Sequence, residues 1–139
     1  MKKWIFDSGR HSASVDFSLL LLRVAAGGLM LLRHGYPKLL KLAGGPPYKF
    51  QDPIGLGDNA SFFLTLFAEL VCAFLIIIGF GTRVATIPLT FAMGVVTFLV
   101  HYNDGLGKME LPMIFFTIFF ILILTGAGRY SVDRLIDRR

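Results

Sequence analysis

The chain has 139 residues and a formal net charge of +5, and 55% of its residues are hydrophobic. This composition is too apolar for an ordinary soluble domain. Four segments indicate membrane helices, at about residues 17–34, 61–80, 83–101 and 110–126. We therefore expect an all-α fold, an integral membrane four-helix antiparallel bundle with a long outer loop between helices 1 and 2. One domain over residues 1–139 is sufficient for it.

The charge distribution predicts the orientation and excludes one class of partner. Of the 14 Lys and Arg residues, eight lie on the side that holds both termini and five on the other side. Because cytoplasmic loops carry the excess of basic residues, we expect both termini on the cytoplasmic side of the membrane. The cations flank apolar spans and form no basic surface with interleaved aromatics, so nucleic acid is not an expected partner. The expected partner is the lipid bilayer.

Two further features concern processing and redox chemistry. The residues before Asp16 are polar and the first apolar run lacks a small-residue cleavage site, so we expect a retained first helix and no cleavable signal peptide. Cys72 is the single cysteine. It excludes an internal disulfide and a dithiol redox pair.

A charged residue interrupts the first apolar run. Arg23 lies there at a depth where a cation costs about 2.5 to 3.5 kcal/mol on insertion scales, so it needs a partner or water. Gly27, Met30 and His34 follow at helical spacing and share its face. The sequence must supply an anion elsewhere in the bundle.

Glu69, near the middle of the second span, is the predicted partner of Arg23. An ion pair would relieve both burial penalties. Two interpretations stay open for this polar core. The pair is structural, or it lines a cavity where it relays a proton or holds a polar substrate.

The connection between the first two spans is rich in glycine and proline, which excludes a long helix there. Its apolar residues suit either a lid over the bundle end or a passive interfacial loop. In the third span we expect a kink at Pro88. Glu110 is expected to open the fourth helix just before Pro112. The polar positions of the third span share one inward line, formed by Thr86, Thr90, Gly94, Thr97 and His101.

A second polar cluster is predicted at the outer end of the bundle. His34 and Lys38 come from the first helix, His101 from the third and Glu110 from the fourth. Such groups can grip a quinone carbonyl or a small anion and exchange protons near neutral pH. The alternative is that they only sit at headgroup level. A metal site is not expected, because the histidines have no ligand partner at helical spacing.

Several of these residues together resemble the DoxX family of small bacterial membrane proteins. The matching pieces are Leu22-Arg23, Gly27, His34-Gly35 with Lys38, Glu69, Gly79, Gly81-Thr82-Arg83, Glu110, and the run from Gly126 through Arg129 to Asp133. The resemblance implies a four-helix bundle in the inner membrane of a bacterium. It also implies an association with membrane oxidoreductase assemblies, whose members include a subunit of thiosulfate:quinone oxidoreductase. It assigns no catalytic role to any residue, and Arg83, Arg129 and Asp133 are motif positions only.

Three functional hypotheses follow. The first is a membrane subunit of a redox system that binds a quinone or a small sulfur compound near the outer face. It has no covalently bound cofactor and works with soluble redox proteins or as a homo-oligomer. The second is a small-molecule or proton-coupled transporter with Arg23 and Glu69 as its midplane site. The third is a non-catalytic assembly subunit.

Overall fold

The computed structural model describes residues 5–9 and 11–137, and all regular structure in these ranges is helical. The helices are α1 (Ala13–Ala43), α2 (Asp58–Ile78), α3 (Thr82–Val100), α4 (Leu106–Thr125) and α5 (Val132–Asp137). The first four are long and apolar enough to cross a membrane. This confirms the predicted all-α fold with four spans. We call the end with residues 79–81 and α5 the terminal end, and the end with residues 44–57 and 101–105 the loop end.

The first helix is longer than the predicted span. It has 31 residues, about 46 Å at ~1.5 Å per residue. A π-helical turn, Leu31–Gly35, interrupts it, and the regular helix restarts directly afterwards. Pro37 therefore lies in a first turn, where its missing N–H costs no hydrogen bond. As a consequence Lys38 is held on a helix and not in a loop.

The fourth helix begins earlier than predicted. It starts at Leu106, so Glu110 is its fifth residue and Pro112 lies in its interior. The prediction that Glu110 opens this helix is wrong, because hydropathy marks where the apolar part of a helix begins. The first turn of α4 contains Gly107 and Lys108, which lower its hydropathy, and it precedes that point.

The predicted polar line of α3 faces inward, as expected. Thr86 and Thr97 are fully buried and Thr90 is 8% exposed. Each hydroxyl donates to the carbonyl oxygen four residues earlier, at 2.7–2.8 Å. These side chains are satisfied by their own helix, which leaves no free hydroxyl for a ligand.

Arg23 lies at the terminal end and not at mid-bundle. Its guanidinium is buried and donates to the carbonyl oxygens of Ile76, at 3.2 Å, and Tyr130, at 2.6 Å. The last carbonyls of a helix lack intrahelical partners, and a cation suits that end of the helix dipole. Gly79 has φ +72°, and any Cβ there would collide with the guanidinium. Arg23 thus caps α2 and ties it to the segment before α5.

Asp133 caps α3 from α5. Its Oδ1 accepts from the N–H of Gly81 at 2.6 Å, and its Oδ2 accepts from the N–H of Thr82 at 3.0 Å. Its own N–H donates to the carbonyl of Gly79 at 2.9 Å. The carboxylate is 1% exposed and also interacts electrostatically with Arg23. One residue therefore supplies the partners that the first amides of α3 lack.

The other motif positions fasten the residues before α1 to the same end. Arg83 donates from Nη2 to Oδ2 of Asp7 at 3.3 Å. The backbone N–H of Arg129 donates to Oδ1 of Asp16 at 2.9 Å. These contacts give the motif a structural role in closing the terminal end.

We predict that Asp133→Ala lowers the free energy of unfolding by about 2 kcal/mol, because it leaves two buried amides without an acceptor. The matched control is Asp137→Ala on the same helix, where the carboxylate is exposed and, among the described residues, pairs with Arg134 at 3.5 Å. It should change stability by less than about 0.5 kcal/mol. Unfolding titrations of the purified protein in detergent measure both. Equal stability of the two variants would contradict the capping role.

Candidate functional site

A cavity of about 730 Å³ lies in the loop-end half of the bundle, between the four long helices and residues 50–56 of the loop. Its wall is mostly apolar. The polar side chains on it are His34, Lys38, Gln51, Ser61, Thr65, Glu69, His101 and Lys108. This combination, a large apolar volume with a few convergent polar groups, is typical of small-molecule sites.

Three π-helical turns surround the cavity. They are Leu31–Gly35 in α1, Phe67–Cys72 in α2 and Val96–Val100 in α3, and each contributes wall residues. Such turns occur frequently at functional sites, because the extra residue redirects side chains. At Gly35 the backbones of α1 and α2 touch, and an added Cβ would lie 2.5 Å from the Glu69 carbonyl oxygen.

Glu69 is paired with Lys38. The Nζ of Lys38 donates to Oε2 of Glu69, and their side chains are 19% and 4% exposed. The same Nζ lies 5.8 Å from the centre of the Phe50 ring. A buried carboxylate needs such a cation. Lys38 follows His34 by one turn, so the two residues share a helix face if the helix continues past Pro37. The sequence alone does not show that it continues.

The predicted ion pair between Arg23 and Glu69 is wrong. Both side chains are buried, but Gly35, which is level with Glu69, comes 12 residues after Arg23. That separation is about 18 Å along a helix. Packed apolar side chains fill the interval, and Arg23 does not line the cavity. The apolar run alone places Arg23 near the middle of the membrane. The helix α1 extends beyond that run at both ends, and Arg23 lies in its first half, near the terminal end.

Of the predicted outer cluster, His34, Lys38 and His101 line the cavity. His34 is half-buried and packs edge-on against Phe115, with 6.3 Å between ring centres. No described residue forms a hydrogen bond with its ring. His101 differs, because its Nδ1 lies 2.8 Å from Oδ2 of Asp104. His34 is therefore the imidazole that is available to a ligand.

The Asp104 carboxylate contacts two basic residues of the cavity wall at the loop end. Besides His101 it binds Lys108, whose Nζ lies 3.4 Å from the same oxygen. The hydrogen bond from His101, and then that from Lys108, hold the pKa of Asp104 below its ordinary value. Asp104 therefore stays ionised and balances the positive charge near the loop end.

Glu110 does not belong to the cluster, so this part of the prediction is wrong. Its side chain is exposed and lies outside the cavity wall. The wall residues of α4 include Gly107, Leu111 and Phe115, which recur every four residues on one face. Glu110 lies on another face of the same helix.

The loop forms one side of the cavity and is fastened to α2. The Asp52 carboxylate accepts hydrogen bonds from the N–H of Gly57 at 2.6 Å and the hydroxyl of Ser61 at 2.8 Å. These donors, Gly57 first, hold the pKa of Asp52 below its ordinary value. Tyr48 stacks on Phe62 with 4.6 Å between ring centres. The loop thus occupies the position of a lid.

Comparison with known protein families assigns this chain to a family. A family model described as DoxX matches residues 18–102, more than half of the 139-residue chain. The chain belongs to the DoxX family. An uncharacterized membrane protein of Mycobacterium tuberculosis is 32% identical over 140 aligned positions, covering 88% of this chain and 83% of that protein. An uncharacterized protein of Haemophilus influenzae is 35% identical over 75 positions, covering 51% of this chain and 50% of that protein. No solved structure matches.

The DoxX match confirms the predicted resemblance and a multi-pass membrane protein. The matched range contains His34, Lys38, Glu69 and His101, but ends before Glu110. The polar side chains of the cavity wall, except Lys108, therefore lie within the range that the DoxX model matches. In residues 5–9 and 11–137, no three His, Cys, Asp or Glu side chains gather as a metal site would require.

We predict that Lys38→Met lowers the free energy of unfolding by about 3 kcal/mol, because it leaves the Glu69 carboxylate buried and unpaired. The double variant Lys38→Met with Glu69→Gln should recover most of this loss, since no buried charge remains. Lys49→Met, at an exposed lysine of the loop, is the control and should be neutral. Unfolding titrations in detergent complete this double-mutant cycle. A double variant as unstable as Lys38→Met would contradict the pairing.

Proposed function

We propose that this DoxX-family chain is a membrane component of a quinone-linked redox system and that its cavity binds the quinone ring. The observation that carries the proposal is an apolar cavity of about 730 Å³ whose wall includes the His34 imidazole. No described residue forms a hydrogen bond with that ring. Ligand pockets for small molecules have volumes of about 300 to 1,000 Å³. A quinone has an apolar ring and two carbonyl acceptors, which suit such a wall.

His34 is the residue proposed to hold the ring. Its free ring nitrogen can donate to one quinone carbonyl, and Phe115 offers an aromatic edge beside it. Lys38 lies one turn after His34 on α1, and its partner Glu69 lies on the neighbouring helix α2. This ion pair supplies a polar surface without net charge next to the quinone carbonyl.

The electrostatics favour a quinone over a small sulfur anion. An anion would need a cation that is free to bind it. On the described wall, Lys38 is paired with Glu69, and Lys108 with Asp104. A neutral ligand that accepts hydrogen bonds therefore suits the cavity better than a charged one.

Transport receives less support from the geometry. The terminal half of the bundle is filled by fully buried side chains, among them Met30, Ile76, Leu89 and Leu122. The cavity therefore has a closed floor, and the proposed midplane pair of Arg23 and Glu69 is not formed. A binding site open toward one side fits this interior better than a path through it.

The proposal keeps the predicted topology, with both termini in the cytoplasm of a bacterial inner membrane. The cavity then lies in the outer half of the bilayer. A single cysteine cannot ligate an iron–sulfur cluster. Electrons must therefore be exchanged with a partner protein, for which a soluble redox protein is the candidate.

Titration calorimetry of the purified chain in lipid nanodiscs with a decyl-benzoquinone tests the proposal. We expect saturable binding that weakens about tenfold in His34→Ala, which removes one hydrogen bond to the ligand. His34→Gln keeps a donor and should lose less.

The control is His11→Ala. The His11 ring lies at the opposite end of the bundle, where its Nε2 contacts the carbonyl oxygen of Thr125 at 3.2 Å. This variant should bind as the unchanged chain does. Absence of saturable binding to the unchanged chain would overturn the proposal and favour a non-catalytic assembly subunit.

A further inference from the structure

We propose that the cavity opens sideways into the bilayer between α2 and α3, and that this opening holds the hydrocarbon tail of a membrane-dissolved quinone. The ligand would then enter from lipid and not from water. This inference rests on the proposed function, because it takes the ring to lie against His34.

The opening is marked by wall residues that are also on the outer surface. Phe67 on α2 and Phe91 on α3 both line the cavity, yet they are 49% and 63% exposed. Leu64 on α2 also lines it and is 58% exposed. Leu56 in the loop and Leu111 on α4 are also exposed wall residues, so the cavity reaches the surface at more than one place. Leu64, Phe67 and Phe91 mark the place between α2 and α3.

The height of the opening points to lipid. Phe67 is the tenth of 21 residues of α2, and Phe91 is the tenth of 19 residues of α3. Both therefore lie at mid-height of helices that cross a hydrocarbon core about 30 Å thick. An opening at this height meets acyl chains.

The close packing of α2 against α3 does not continue from Phe67 toward the loop end. α3 packs on Phe67–Cys72 and Ala73–Ile78, whereas the first part of α2, Asp58–Leu66, has no extensive contact with α3. Pro88 of α3 also lies on the cavity wall. It has no backbone N–H, so α3 lacks one intrahelical hydrogen bond there.

Small side chains lie next to the two phenylalanines on the cavity wall. Ala68 follows Phe67, Ala92 follows Phe91, and both line the cavity. In the proposal the alkyl chain runs past these alanines, from the exposed edge to the interior. His34 and Lys38 lie on α1, and Glu69 of α2 is paired with Lys38. The arrangement suits a molecule with a hydrogen-bonding ring at one end and an alkyl chain at the other.

The first arm of the test locates the tail. The full chain in phosphatidylcholine nanodiscs is illuminated with a benzoquinone that carries a diazirine in its decyl tail, and adducts are mapped by mass spectrometry. We expect adducts at residues 64–68 and 91–95, suppressed by excess unlabelled decyl-benzoquinone. The lipid-facing positions Phe74 and Phe98 should carry only background label.

The second arm narrows the opening. The test variant is Phe67→Trp with Phe91→Trp. The matched control is Phe74→Trp with Phe98→Trp, at phenylalanines of the same two helices that are 53% and 52% exposed and lie off the cavity wall. Binding of the decyl-benzoquinone, referred to its concentration in the lipid, should weaken about tenfold in the test variant only. Binding of the same ring without a tail should change by less than about twofold in both variants.

The outcomes separate the two proposals. Binding of both ligands with tail adducts at the opening supports the inference. Binding of both ligands with adducts spread equally to Phe74 and Phe98 overturns it and leaves the proposed function intact. Absence of saturable binding of either ligand overturns the proposed function and this inference with it. If the test variant does not fold, the adduct map of the unchanged chain decides.

Discussion

The buried carboxylate of Glu69 places the strongest constraint on this bundle. It lies among apolar side chains, so its charge must be met by a cation at the same depth. Lys38 meets it only because α1 continues past Pro37 after a π-helical turn, and because Gly35 lets the two backbones touch. The wall of the cavity, with His34 one turn before Lys38, depends on this junction of α1 and α2.

Polar residues fall into two regions with different duties. At the terminal end, Arg23 and Asp133 satisfy backbone groups at the ends of α2 and α3. At the loop end Lys38 is paired with Glu69 and Lys108 with Asp104, whereas the His34 ring has no hydrogen-bond partner among the described residues. His34 also lines a large, mostly apolar cavity, which is the surrounding that a small-molecule site requires. The cavity therefore favours the loop end as the functional region.

The sequence predicted the features that depend on composition and periodicity. The four spans, the buried threonine line of α3 and the family resemblance are confirmed. The pairing of Arg23 with Glu69 failed because hydropathy reports the apolar part of a helix, and the polar ends that set the relative height of helices are invisible to it. The start of α4 was misplaced for the same reason, and Glu110 lies outside the cavity wall because Gly107, Leu111 and Phe115 occupy the cavity-facing side of the helix. The capping role of Asp133 needs the tertiary fold, because its partners are about 50 residues away in sequence.

The packing of the helices also determines which side of the cavity meets lipid. α1 and α2 are joined backbone to backbone at Gly35, and α3 packs closely along α4. The loop covers the loop end of the cavity. Its Asp52 accepts hydrogen bonds from Gly57 and Ser61 at the start of α2, which holds the loop in place. The first half of α2 is the wall that lacks extensive contact with its neighbour α3. Because a bilayer surrounds that wall, an apolar ligand that has partitioned into the hydrocarbon can reach the polar groups there without returning its apolar surface to water, which would be unfavourable.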